Sequence, residues 1–300
     1  MVLRSAIFEP VEYGLPDLQH LRDVTYRLKI GHDRARDKKV KNTADVLPFF
    51  YLPNVQRISV SLESPLAITW PTPQLPIPST LTSLVLNSVR ENYLDDLLSV
   101  TSHLKSLCWR WFYDFGIDDA VNMPIVDLDR IGDAISCLRG TLTDLKILAE
   151  VQLGGNDINL PGIKTEGSLS AMVNMENLRI LQVPLAFLVG FAQDTTKRLQ
   201  NVLPRYLEHL TITYDLCLQN DEQMEPDWPE FEWEDHAVLG LLKSWLEDRK
   251  AFAPNLRGIS LRLARNETAD EEWDPIMRHQ LTELGAQAGV PLDVIFSDEI

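Results

Sequence analysis

Four arginines, Arg27, Arg57, Arg110 and Arg262, sit between apolar residues in short alternating segments. A guanidinium offers a planar fork of donors that matches a carboxylate two bonds at a time. Arginines on a solvent-facing strand row could therefore grip acidic groups of another protein. Lys146 and His209 occupy comparable intervening positions. Trp109 and Trp111 flank Arg110, and alternation turns both inward, but Trp111 lies past the last apolar residue of its segment and is the better exposed anchor. Trp228 and Trp233 stand in an acidic stretch, where their rings could dock a basic partner or pin the stretch to the rest of the chain. Arg27, Arg57, Arg110, Trp111, Lys146, His209, Trp228, Trp233 and Arg262 form the candidate protein-binding set.

Residues arranged for catalysis are not found in the sequence. It has no phosphate-cradling glycine loop, no nucleophile elbow and no paired-histidine metal signature. His20, His103 and His209 recur near apolar segments at similar places, which a repeating geometry explains without chemistry. The acidic pairs Asp95-Asp96 and Asp118-Asp119 read as helix caps favoured by the helix dipole. Cys108, Cys137 and Cys217 are too scattered for a disulfide framework or a zinc site. The expectation is a non-enzymatic chain with no catalytic residue, cofactor or metal.

The formal charge of -16 argues against nucleic acid, whose phosphates need a concentrated basic surface. Part of that acid is local: Asp221 to Asp235 holds eight carboxylates and no Lys or Arg. No apolar run approaches the roughly 18 residues that would suggest a membrane span. The opening residues make a poor secretory signal, so Asn266-Glu267-Thr268 reads as a chance sequon and the expected compartment is cytoplasmic or nuclear.

The elements that must position these residues announce themselves by a returning phrase: leucine, two residues, leucine, one residue, leucine. It runs Leu81–Leu86, Leu104–Trp109, Leu142–Ile147, Leu178–Val183, Leu207–Ile212 and Leu256–Leu261, with softer copies at Leu21–Tyr26 and Val55–Val60. Apolar residues at every second position predict short strands with one buried face. The intervening residues then line up across strands: Asp23, Arg57, Ser83, Ser106, Asp144, Ile180, His209 and Gly258 in one row, with Arg110 and Arg262 farther along. The phrases begin 34, 26, 23, 38, 36, 29 and 49 residues apart, so the connectors differ in length.

Helical spacing predicts helices in 92–107, 127–138, 169–175, 194–202, 234–252 and 275–287, and Leu292–Phe296 reads as a last strand. Inserted loops are expected near 30–42, which is basic; 64–79, which carries five prolines; 154–167; and 219–235. All lie within one domain spanning 1–300.

In its leucine phrases, and in Leu52-Pro53-Asn54-Val55, Ala253-Pro254-Asn255-Leu256 and Gly289-Val290-Pro291-Leu292, the chain resembles the leucine-rich repeat family. More narrowly it resembles the repeat region of fungal F-box-like proteins, without a visible F-box ahead of Leu21. The resemblance implies an irregular α/β solenoid, a horseshoe with parallel strands on its concave face and helices or loops outside. It also implies a protein-interaction scaffold, a substrate receptor with an indirect link to a cullin ubiquitin ligase. The alternative is a degenerate or structural member with no selective partner, and, further off, an enzyme.

Overall fold

The computed structural model describes residues 7–8, 18–26, 43–62, 67–114, 123–152, 162–194, 196–217, 229–264 and 275–297. Alternation sets the strands. Ser83–Asn87 buries Leu84 and Leu86 while Ser83, Val85 and Asn87 stay partly accessible, and the same pattern runs the nine-residue length of Ser106–Asp114. The strands are β1 (Asp23–Tyr26), β2 (Arg57–Ser61), β3 (Ser83–Asn87), β4 (Ser106–Asp114), β5 (Ile125–Asp127), β6 (Asp144–Gln152), β7 (Lys164–Glu166), β8 (Ile180–Pro184), β9 (His209–Thr213), β10 (Gly258–Ala264) and β11 (Leu292–Ser297). Nine of them form one parallel sheet in the order β1-β2-β3-β4-β6-β8-β9-β10-β11, while β5 and β7 pair in a separate two-stranded sheet.

A single hydrogen-bond step sets the register at successive strand entrances. The Arg22 carbonyl accepts from the N–H groups of Gln56 and Arg57, and the Gln56 carbonyl from those of Thr82 and Ser83. Thr82, Lys105, Thr143, Arg179 and Glu208 repeat it toward the next strand. Side chains brace the same turns: Thr80 donates to the Val55 carbonyl at 2.7 Å and Asn177 to that of Gly140 at 2.8 Å. The resulting rows place Asp23, Arg57, Ser83, Ser106, Asp144, Ile180, His209 and Gly258 side by side.

The helices are α1 (Leu94–Leu98), α2 (Leu128–Ser136), α3 (Leu185–Val189), α4 (Asp235–Glu247), α5 (Arg249–Phe252) and α6 (Pro275–Ala288). Their apolar residues join the inward strand residues in one core, from Phe50 and Leu84 through Trp111 and Ile147 to Val238 and Leu281. Asp127 caps α2 by accepting from the Arg130 N–H at 3.0 Å, the bond expected of an acidic residue there.

The leucine-rich-repeat horseshoe expected from the phrases is corrected to an α/β fold with one large open parallel sheet, whose edges are β1 and β11. The covered side shows why. Between β1 and β2 lie two 3₁₀ turns, between β2 and β3 no described helix, and between β3 and β4 a 3₁₀ turn (Glu91–Tyr93) and the five-residue α1. β4 and β6 are joined through β5 and α2, while the last two connections carry helices of 13 and 14 residues. Period-two alternation dictates a strand wherever it occurs, but a solenoid also needs a common connector, and none recurs among the described residues.

Several helix boundaries are corrected as well. Among the described residues the 92–107 segment is helical only in a 3₁₀ turn (Glu91–Tyr93) and α1, and 194–202 only at Leu199–Asn201. The 169–175 segment forms a 3₁₀ turn over Leu169–Asn174, and the closing 234–252 helix breaks at Asp248 into α4 and α5. β7 lies inside the loop expected over 154–167. The 30–42 loop lies outside the described residues.

Candidate functional site

At their carboxyl ends the strands stop unevenly, leaving a notch. β4 and β6 pair on to Asp114 and Gln152, but β8 follows β6 only over Asp144–Lys146 and bends away after Pro184 into α3. β9 ends at Thr213, while β10 and β11 run on together to Ala264 and Ser297. Carboxyl ends of parallel strands are the usual place for chemistry in open α/β sheets, so the notch is the first place to look.

The turn after β9 fills it. The Asp215 carboxylate accepts from the Ala149 N–H of β6 at 2.9 Å, taking the place of the carbonyl that a longer β8 would supply. On the other side the Tyr214 N–H donates to the Arg262 carbonyl of β10 at 3.2 Å. Leu216 turns the chain there with a positive φ of 71°, a conformation uncommon for a branched residue, and its side chain is buried. Burial pushes the Asp215 carboxyl above the usual carboxylate range. The Ala149 N–H, the Thr213 hydroxyl and the charges of Arg110 and Arg262 pull it back.

Around this notch the arginines are engaged within the sheet. Arg110 donates from Nη1 to Glu150 Oε2 at 2.6 Å, linking β4 to β6. Its Nε is buried without a hydrogen-bond partner. Arg262 occupies the same row, four strand steps and roughly 19 Å away at the spacing of a sheet, and both bear on Asp215. At the other end of the strands Arg57 grips Asp23, its register partner on β1, through Nη2 at 2.8 Å and Nε at 2.5 Å. Glu208 plays the acid to two arginines, Arg179 at 3.8 Å and Arg257 at 3.2 Å.

The remaining candidates scatter. Lys146 is exposed beside Cys108 and Gln182 in the middle row, and His209 is exposed five strand steps from Arg57. Trp111 is corrected from an exposed anchor to a core residue: it is fully buried, as alternation requires, and donates from Nε1 to Glu91 Oε2 at 2.9 Å. Trp233 is also buried, with Nε1 donating to the Gly190 carbonyl at 3.0 Å, so its ring pins the start of α4 rather than offering a docking surface. Arg27 and Trp228 lie outside the described residues. Thus only Arg110 and Arg262 converge, on a carboxylate not among the candidates.

The sequence reading also misses the buried pair Arg90–Glu91. Arg90 Nε and Nη2 donate to the Glu91 carboxylate at 3.0 Å each, Nη1 donates to the Met123 carbonyl at 2.9 Å, and Nη2 also donates to the Ile125 carbonyl at 2.8 Å. The guanidinium also lies 4.6 Å from the centre of the Trp111 ring. Adjacent opposite charges in a turn look like an ordinary solvated pair, so no sequence signal marks them.

Neither Cys108 nor Cys137 shows the depressed pKa of a nucleophile. Burial pushes the Cys108 thiol up, against the pull of Lys146 and Arg110. Cys137 is exposed at the surface, yet local desolvation of its thiol and the charge of Asp95 raise it to about 11, against its backbone hydrogen bond. Among the described residues no helix is long and apolar enough to cross a membrane.

No family model matches the chain, and no curated protein matches it. The proposed kinship with leucine-rich repeat and fungal F-box-like proteins therefore has no family-level support. With the open sheet and unlike connectors, it is set aside, and the ubiquitin-ligase link and the repeat-face receptor role that depended on it go with it.

Proposed function

We propose that the chain is a structural, non-catalytic α/β protein whose strand-row arginines clamp its own sheet instead of contacting a selective partner. The observation that carries this is the pairing of Arg57 with Asp23 and of Arg110 with Glu150, each joining neighbouring strands. A guanidinium already committed to a carboxylate must surrender that bond before it can grip another, which removes most of the gain. Against a catalytic role, the shifted carboxyl of Asp215 is spent on a backbone N–H, and the shifted thiols move away from the thiolate. The charge of -16 disfavours nucleic acid and anionic membrane surfaces as partners. Only three cysteines in 300 residues, too scattered for a disulfide framework, suit a reducing cytoplasmic or nuclear compartment.

The test compares the intact chain with Arg57→Glu and Arg110→Glu. Each reversal sets two carboxylates against each other and should lower unfolding stability, by about 1 kcal/mol at the partly shielded Arg110–Glu150 pair. The proteins retained from a native extract should be unselective and the same for all three. A protein bound at fixed stoichiometry by the wild type, and lost from both variants without loss of folding, would overturn the structural reading.

A further inference from the structure

The turns that lead into the strands depart from the chain's acid excess. Over 18–22, 52–56, 79–82, 101–105, 139–143, 175–179, 203–208 and 253–257 they hold six lysines and arginines against Glu176 and Glu208, in a chain of net charge -16. Glu208 is itself held by Arg179 and Arg257. Salt screens exposed charges beyond about 8–10 Å, so the local sign decides what approaches this end of the sheet.

Between the first three of these turns lies a pocket of about 180 Å³, lined by Gln19, His20, Arg22, Asn54, Gln56 and Thr80. None of the six is an acid. Among the described residues the Arg22 guanidinium has no carboxylate partner. Asp23, the acid next to it in the chain, is committed to Arg57 through Nη2 at 2.8 Å.

The register of the strands fixes the walls. The Arg22 carbonyl accepts from the Gln56 N–H at 2.7 Å and the Arg57 N–H at 2.9 Å. Asn54 donates one side-chain N–H to the Gln19 carbonyl at 2.7 Å, and the Thr80 hydroxyl donates to the Val55 carbonyl at 2.7 Å. A side-chain amide carries two N–H groups, so Asn54 keeps one to give, and the Gln56 amide keeps both among the described residues. Donors mounted on a fixed backbone lose little conformational entropy when they bind.

We propose that this pocket binds a phosphate group. The Arg22 guanidinium supplies the charge and a fork of two parallel N–H bonds, Asn54 and Gln56 supply amide donors, and His20 adds a ring N–H. These donors come from separate turns, which suits a tetrahedral anion with oxygens in several directions better than a planar carboxylate with both oxygens on one side. The volume equals about six waters, and lies below the roughly 300 Å³ at which sites for larger ligands begin, so it takes one such group and no nucleotide. The inference goes beyond the structural reading of the strand rows. Arg22 precedes β1, and its guanidinium, unlike those of Arg57 and Arg110, is not spent on the sheet.

NMR titration of the isotopically labelled intact chain with inorganic phosphate tests it, at constant ionic strength with chloride as the balancing salt. The side-chain NH₂ signals of Asn54 and Gln56 should shift saturably at one phosphate per chain, and chloride should leave them in place. Arg22→Gln should weaken binding at least about tenfold through loss of its charge-assisted bonds. The Arg22 side chain is exposed, so the rest of the variant's spectrum should match the wild type. Lys105→Gln, at the equivalent place before β4 and outside the pocket, should bind as the wild type does. Phenyl phosphate separates the sources: binding assigns the group to a phosphate ester, and its exclusion assigns the free anion. Absence of saturable shifts, an equal response to chloride, or unchanged affinity in Arg22→Gln would each overturn the proposal.

Discussion

Replacing Glu91 by Gln changes one atom in a network that is 1% exposed at Arg90 and 3% at Glu91. The carboxylate receives Arg90 Nε and Trp111 Nε1 on Oε2, and Arg90 Nη2 on Oε1. An amide cannot satisfy all three, because its nitrogen faces a donor whichever way it is turned. The variant also leaves the Arg90 charge buried without a counterion. Removing one partner of a buried ion pair costs about 3–5 kcal/mol, a large part of the roughly 5–15 kcal/mol that stabilises a folded domain. In a chain of 300 residues that lowers the melting temperature by about 5–8 °C.

Urea denaturation should show the midpoint falling with an unchanged slope, the sign of lost stability without a change in the surface exposed. The apolar double variant Arg90→Met, Glu91→Leu removes both charges, but it strands the Trp111 N–H and withdraws donors from two backbone carbonyls. An unsatisfied buried group costs about 1–3 kcal/mol, so the double variant should recover only part of the loss. A Glu91→Gln cost below about 1 kcal/mol would mean that water reaches the pair, and would refute the burial argument.

Three further outcomes can be checked. Asp215 has a folded pKa above its unfolded value of 3.8, so its contribution to stability is greatest at low pH and falls as pH rises from 3.8 through the folded value; Asp215→Asn should abolish that component, seen as a wild-type-minus-variant stability difference that changes across this window and is flat above it. With its pKa near 11 against an ordinary 9.0, Cys137, exposed at the surface but with a partly desolvated thiol, should react with iodoacetamide at pH 8 about a hundredfold more slowly than a free thiol, and a rate equal to the free thiol would contradict that desolvation. Gly167 has a φ of 73° and the Cβ of any replacement would run into the Asp129 carboxylate, which accepts from the Ser168 N–H at 2.9 Å; Gly167→Ala should therefore cost about 1–3 kcal/mol in denaturant titration.

Strands were the legible part of this fold. Leu84 and Leu86 alternate with Val85 because a strand turns successive residues to opposite faces, and that signal needs no knowledge of the rest of the chain. The same rule turns Trp111 inward, and assigning it an anchor role at the strand end went against the alternation that places it. How the strands are connected is not local. α3 is buried at every position and carries no helical periodicity, so Leu185–Val189 reads equally well as more strand. The phrases carry no information about whether successive connectors share one geometry, and here they do not.

The candidate site was legible only as a list of positions. Arg57 and Arg110 fall on the rows assigned to them, yet their partners Asp23 and Glu150 come from neighbouring strands 34 and 40 residues away, and an arginine reads the same whether paired or free. Asp215 was missed because its role depends on where β8 stops. That stop is visible only once β6 and β10 are seen to outrun it.

The account stands most directly on whether the row arginines hold the sheet to itself. A double-mutant cycle on Arg110 and Glu150, read by equilibrium unfolding of the wild type, Arg110→Ala, Glu150→Ala and the pair, measures that coupling without reference to any partner. The two side chains are 30% and 39% exposed and 2.6 Å apart, so solvent screens them in part and the expected coupling is stabilising by about 0.5–1 kcal/mol. A coupling indistinguishable from zero would mean that Arg110 is not a clamp, and would contradict the structural role assigned to the row.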